Sequence, residues 1–105
     1  MDGKIYYFCV EGSEGDLVGI CIVNHIEIKR LSGEIGFQLN NKFWGKGYGK
    51  EMAQAILDIC LKDIGLQTII AKVNIENEVS INILKQINMT RIEKNETQWI
   101  YEYNS

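Results

Sequence analysis

The chain contains no proline, a single histidine at position 25, and three scattered cysteines at positions 9, 21 and 60. Without proline, low-complexity tracts or internal repeats there is no sign of a linker, and 105 residues suffice for one core. A single domain over residues 1–105 is therefore expected. One histidine and no C-x-x-C spacing exclude the usual zinc ligand sets, so no metal site is expected. An odd number of dispersed cysteines reads as free thiols in a reducing cytoplasm. No apolar run reaches the length of a membrane span. The start, residues 1–4 followed by alternation over 5–10, lacks the shape of a secretory leader, which again predicts a cytoplasmic protein without membrane attachment. Positive charge is also scarce. The net charge is −3, which argues against a general nucleic-acid binder.

What the chain does have is glycine, most tellingly in the run Trp44-Gly45-Lys46-Gly47-Tyr48-Gly49-Lys50. It follows an apolar extended stretch and opens a helical pattern. Alternate glycines leave peptide N–H groups unshielded and free to adopt unusual directions. A helix start adds unpaired donors and the positive end of the helix dipole. Together they form a cradle for phosphate or pyrophosphate. Lys42, Lys46 and Lys50 place positive charge around it, although solvated lysines are the ordinary reading of each one singly.

Alternation predicts strands over residues 4–10, 17–29 and 34–40, separated by turn clusters at 11–16 and 31–33. In the second strand Ile20, Ile22, Ile26 and Ile28 fall on one face, with Val23, His25, Glu27 and Lys29 on the other. Short connections predict an antiparallel meander. Residues 51–64 have a helical period, with Glu51, Gln54, Asp58 and Lys62 as the polar stripe and Gly65 as the stop. Residues 68–75 alternate again. Asn77 is a good N-cap for a second helix to residue 87, and Asn88 can take the left-handed stop. Two strands, 90–93 and 97–103, flank a turn at 94–96. The order is β-β-β-α-β-α-β-β, an α/β fold with a mixed sheet.

Three phosphate motifs compete for the glycine loop. A Walker A loop needs glycine where Trp44 stands and a hydroxyl where Glu51 stands. A dinucleotide fingerprint needs a third glycine at Lys50 and a preceding parallel strand. Both fail. From Gly33 onward the sequence instead resembles the GNAT superfamily of acetyl-CoA-dependent N-acyltransferases, most closely the branch of ribosomal-protein N-terminal acetyltransferases. The family's Gln/Arg-x-x-Gly-x-Gly/Ala motif is filled by Trp44 to Gly49, with tryptophan replacing Gln/Arg. Its second motif, Asn-x-x-Ser followed by leucine and Lys-x-Gly-Phe, appears as Asn77-Glu78-Val79-Ser80, Leu84 and Asn88-Met89. The Gly-Phe half has become Asn-Met. Gly33-Glu34-Ile35-Gly36-Phe37 also matches the branch.

The resemblance implies a GNAT acyl-CoA N-acyltransferase-like fold that splays two central strands around the pantetheine arm. It implies that main-chain groups of Phe37, Gln38 and Leu39 pair with pantetheine. One of these N–H groups would steady the oxyanion. The loop Gly45, Lys46, Gly47, Tyr48, Gly49 and Lys50 would hold the pyrophosphate, with Trp44 as its packing anchor. Asn77 would bond the pantetheine amides, or serve only as the helix cap. Glu34 is the expected base that takes a proton from the attacking amine, because a protonated amine has no lone pair. Ser80 is the expected donor to the leaving thiolate, since the tyrosine many family members use is Leu84 here. A solvated glutamate and a first-turn serine are the structural alternatives for these two. Trp99, Tyr101 and Tyr103 share a strand face and could line a core, a dimer contact or an acceptor rim.

A GNAT domain ordinarily begins with a strand and two helices that wall the acceptor site, and this chain is expected to enter at about the second strand. The function implied is transfer of an acetyl group from acetyl-CoA, as co-substrate, to a primary amine by direct attack. The amine would be a protein N-terminus or a small molecule. A homodimer is one way to supply the wall. The alternative is a non-catalytic acetyl-CoA or CoA-binding module that has lost its acceptor half.

Overall fold

The computed structural model describes residues 4–105, so the reading of residues 1–3 as part of a non-secretory start lies outside the described residues. The elements are β1 (Tyr6–Glu11), β2 (Leu17–Glu27), β3 (Ser32–Leu39), a single 3-10 turn (Asn41–Phe43), α1 (Tyr48–Asp58) continued by a π-helical stretch (Ile59–Ile64), β4 (Thr68–Asn74), α2 (Glu78–Gln86), β5 (Thr90–Lys94) and β6 (Gln98–Asn104). The six strands form one mixed sheet in the order β1-β2-β3-β4-β6-β5. The mixed α/β class and the order of strands and helices are as the sequence predicts.

The first three strands are the expected antiparallel meander. The chain then crosses over through α1, and β4 returns parallel to β3. Their ladder is short. It pairs Ser32 with Thr68 through Ile35 with Ala71, and among the described residues it goes no further. Beyond that point β3 and β4 diverge, while β4 stays paired with β6 along its whole length.

One face of the sheet carries the core. Cys21, Val23, Ile35, Ile69, Ala71 and Tyr101 are buried there against Met52, Ala53, Ile56 and Leu57 of α1 and Ile83, Leu84 and Ile87 of α2. Of the aromatics on β6, Tyr101 is 1% exposed, and Trp99 and Tyr103 pack half-buried against the same cluster. Of the three, Tyr101 is thus a core residue, while Trp99 and Tyr103 flank the core. The opposite face holds Tyr7, Ile20, Ile22, Glu34, Gly36, Lys72 and Ile100, related by the strand registers. Tyr7 and Ile20 are exposed on it.

The face assignment of β2 is a correction to the sequence reading. Ile20 is 42% exposed, whereas Cys21 and Val23 are buried. Between Asn24 and Glu27 the strand carries a β-bulge, with His25 at φ 50°. One extra residue reverses the side-chain alternation. Ile26 is thereby returned to the core, while Ile28 is exposed. A simple period of two put the isoleucines on one face because it does not anticipate the bulge.

The first helix begins at Tyr48, three residues before the expected start, so the last three residues of the glycine motif, Tyr48, Gly49 and Lys50, lie inside it. It ends in widened turns capped by Gly65 at φ 84°, the predicted stop. The 3-10 turn was not predicted. Asn40 caps it, accepting from the Lys42 N–H at 3.2 Å. In the second helix the Asn77 side chain accepts from the Ser80 N–H at 3.1 Å, and Asn88 adopts φ 66°, both as expected.

Candidate functional site

The glycines of the loop divide into two kinds. Gly45 and Gly47 have φ 72° and 84°, the left-handed region that side chains disfavour, and a Cβ on either would meet nothing within 4 Å. They shape the backbone and leave open space before it. Gly49 is buried, and a Cβ there would stand 2.5 Å from Ile83 Cδ1. Its role is the close approach of α1 to α2. Gly47 is the N-cap of α1 and supplies no side-chain hydrogen bond to the first-turn donors. The N–H groups there stay open to an anion, at the positive end of the helix. Lys42, Lys46 and Lys50 are exposed around the loop, and among the described residues none is ion-paired.

A cavity of about 340 Å³ lies directly before this loop, lined by Gly45, Gly47, Gly49, Lys50 and one stripe of α2, Val79, Asn82, Ile83 and Gln86. It adjoins a second cavity of about 320 Å³, bordered by Phe37, Gln38, Leu39, Trp44, Asn77 and Ser80. Leu39, Val79 and Ile83 are common to both. A third, of about 150 Å³, fills the wedge where β3 and β4 diverge, and it shares Phe37, Asn77 and Ser80 with the second. The three form one groove from the glycine loop to the parting of the strands. In the wedge, the β3 main chain past Ile35 has no neighbouring strand on its β4 side among the described residues. An extended ligand can therefore pair with it as a strand would.

The predicted residues distribute along this groove. Trp44 is 48% exposed and donates its indole N–H to the Leu39 carbonyl at 3.1 Å, which ties the loop to the end of β3. Leu39 O is thereby partly engaged, and Gln38, like Asn40 whose N–H reaches Val18 O, turns its main-chain groups toward β2, so those of Phe37 are the free ones facing the wedge. Tyr48 does not line the groove; its ring meets Phe43 edge-on at 5.0 Å and braces the loop. Lys46 stands on the exposed rim. Ser80 is half-buried where the second cavity meets the wedge, and its hydroxyl makes no hydrogen bond among the described residues. Leu84, at the position where a tyrosine was expected to be missing, borders the wedge and is 1% exposed.

Glu34, too, is not on the groove itself. Its carboxylate lies on the helix-free face of the sheet, 3.4 Å from Lys72 Nζ. Lys72 does border the wedge. The sequence reading passed over Lys72. Alternation over 68–75 puts it opposite the core face, and the parallel strand beside it offers a carboxylate; those two signals together could have found it. Asn82 and Gln86 were also missed, although with Val79 they repeat at helical spacing.

Two remaining groups are chemically quiet. Burial pushes the Cys21 thiol up to about 11 and the Cys60 thiol up to about 12, the latter raised further by a charge at Cys21. Neither can act as a thiolate nucleophile near neutrality. His25 is exposed at the bulge, far along β2 from the groove, as expected of a surface residue. Among the described residues no cluster of histidine, cysteine or carboxylate groups could hold a metal ion, and no helix is long and apolar enough to cross a membrane.

Comparison with known proteins agrees with this geometry. A family model described as an acetyltransferase (GNAT) domain matches residues 1–90. The uncharacterized N-acetyltransferase p20 of Bacillus licheniformis is 32% identical over 92 residues, 87% of this chain and 52% of the relative. The uncharacterized N-acetyltransferase YnaD of Bacillus subtilis is 39% identical over 75 residues, 68% of this chain and 44% of the relative. The chain thus spans about half the length of the curated relatives it matches. Among solved structures, the ribosomal-protein-S5-alanine acetyltransferase of Vibrio fischeri superposes with a TM-score of 0.88 at 20% identity, covering 95% of this chain and 61% of that one. A dodecameric spermidine N-acetyltransferase of Vibrio cholerae gives 0.85 at 16% identity, covering 95% and 64%. At such identities these two likenesses speak for the fold alone. With the family match spanning most of its length and the strands parted beside a glycine-rich helix start, the chain belongs to the GNAT acetyltransferase family.

Proposed function

We propose that this chain binds acetyl-CoA in the groove and transfers its acetyl group to a primary amine by direct attack. The observation that carries the reading is the continuity of three features: an uncapped, glycine-built helix start, a channel lined by both polar and apolar side chains, and an unpaired strand edge in the wedge. These suit, in order, a pyrophosphate, a flexible linker with amide groups, and a thioester. The N–H groups around Gly47, Gly49 and Lys50 would take the pyrophosphate, with Lys42 and Lys46 as charge partners. The main chain of Phe37 would pair with the linker, beside the Gln38 and Leu39 stretch that Asn77 and Ser80 also border. Acetyl-CoA supplies an acyl carbon already activated by its sulfur. A β3 N–H can polarise the carbonyl, and Ser80, with its free hydroxyl, can donate to the departing sulfur.

The acceptor approaches from the helix-free face, where Glu34 can accept the proton that its ammonium must lose. The acceptor is a primary amine on a small molecule or a protein N-terminus. The solved relatives act on a polyamine and a ribosomal protein, by their names, and nothing in the groove chooses between such acceptors. The rival reading, a binding module without chemistry, draws on Leu84, whose buried side chain offers no acid at the wedge.

Calorimetry with acetyl-CoA and CoA tests the first half. Binding is expected, and Gly47→Asp should abolish it without loss of fold, because aspartate tolerates positive φ but sets a carboxylate against the pyrophosphate. Gly47→Asn, neutral and equally tolerant, should retain much of it. Absence of binding by the parent chain would sink both readings. Release of free thiol with polyamine and peptide acceptors then separates enzyme from module.

A further inference from the structure

Lys72 places a primary amine at the mouth of the wedge. Its residue borders the 150 Å³ space between β3 and β4, and its Nζ stands 3.4 Å from Glu34 Oε1. The lysine side chain is 43% exposed and the glutamate 22%, so the pair is neither locked in the interior nor free in solvent. Across the gap stands Gly36, which has no side chain to block the way on that face. A nucleophile, a proton acceptor and the end of the groove thus meet in one place, all supplied by this chain. Of the other lysines, Lys42, Lys46 and Lys50 surround the opposite end of the groove, and none of them has a carboxylate within ion-pair distance among the described residues.

From this we infer that Lys72 is an acetyl acceptor within its own chain, a self-modification site served by acetyl-CoA. The inference rests on the reading that the groove binds acetyl-CoA. The Lys72 ammonium gives one proton to Glu34 through the existing contact, which frees the nitrogen lone pair. Nζ swings on its four-carbon stem into the wedge and attacks the thioester carbonyl. The new C–N bond forms, the C–S bond breaks, and the departing CoA sulfur takes the second proton from Nζ. Glu34 passes the first proton to water. The products are an acetamide on Lys72, CoA with a free thiol, and one proton released. The modified side chain carries no charge, so the ion pair with Glu34 is lost.

Holding amine and thioester in one groove raises their effective concentration far above that of free reactants. Lys72 should therefore acquire acetyl at least about tenfold faster than any other lysine of the folded chain. The experiment is incubation with acetyl-CoA without added acceptor, followed by intact mass and peptide mapping over time. One acetyl group on Lys72 is expected. Lys72→Arg should lose this modification. Gly47→Asp should lose it as well, while the urea-unfolded parent should show no preference among lysines. The parent's calorimetric binding of acetyl-CoA is measured alongside. Binding with Lys72 unmodified, or modified no faster than in Gly47→Asp, overturns self-acetylation and leaves the cofactor reading standing. Absence of binding overturns both.

Discussion

Gly49 in the first turn of α1 lies against Ile83 of α2, so closely that a Cβ on the glycine would stand 2.5 Å from Ile83 Cδ1 and 3.1 Å from its Cγ1. Leu39 Cδ2, at 3.4 Å, closes the third side. Ile83 and Leu39 are both buried, so neither can swing away freely. Gly49→Ala should therefore push the two helices apart and cost about 1–3 kcal/mol, as overpacking does. Because Leu39, Val79 and Ile83 also line the groove, acetyl-CoA affinity should fall with it. Urea denaturation beside calorimetry checks both. A variant as stable as the parent would mean that Ile83 repacks, and that Gly49 is present for the ligand instead.

That glycine shows where sequence reading reaches its limit. The run from Trp44 to Lys50 announced an anion cradle, and the left-handed Gly45 and Gly47 are where the cradle logic put them. Gly49 has the same spacing but a different task, and only the position of α2 reveals it. The fold was legible because strands and helices alternate with clear periods and because Asn77, Gly65 and Asn88 are strong local stop and start signals. The bulge at His25 was not, since its cause is the pairing of β2 with β3 and not a local preference. The Glu34–Lys72 contact was hidden for a similar reason: the residues are far apart in sequence and meet only because β4 returns parallel to β3.

Replacing Glu34 by glutamine tests the base without removing the side chain's volume. The amide cannot accept a proton from the acceptor ammonium, so turnover should drop by about a hundredfold or more. Glu34 does not border the groove, so acetyl-CoA affinity should stay nearly unchanged. Thiol-release kinetics and calorimetry separate the two effects. If affinity falls with turnover, Glu34 holds the structure of the wedge and is not the base.

Arg91 on β5 lies over the Trp99 ring, its Cζ 3.7 Å from the centroid, and donates from Nε and Nη2 to the Tyr101 hydroxyl at 3.0 and 2.8 Å. Tyr101 is buried, so this fork gives its polar end the partner that burial demands. It also fastens the edge strand to the core. Arg91→Lys keeps the charge but loses both the planar stack and the two-pronged contact. It should cost about 1 kcal/mol, or a fall of about 5 °C in Tm, with no effect on acetyl-CoA affinity. An unchanged Tm would show that the stack contributes nothing to holding β5.

Cys21 and Cys60 give the fold a sensitivity to alkaline pH. Their thiols have an ordinary value of 9.0, but burial holds them at about 11 and about 12 in the folded chain. Below pH 9 both states keep these protons, and the preference of the fold for neutral thiols is fully expressed. As pH rises from 9 toward 11 and 12, the unfolded chain releases them first, so it binds fewer protons than the native state and stability falls. Urea midpoints measured at about pH 8 and about pH 10 should therefore drop more for the parent than for Cys60→Ala, which lacks the group with the larger shift. The lysines and tyrosines that also titrate there are common to both proteins and cancel in the comparison. Thiol labelling gives an independent check, since in the folded chain exposed Cys9 should react alone and the buried pair only on unfolding. Equal pH slopes in parent and variant would mean that water reaches Cys60 and that its burial does not hold the proton.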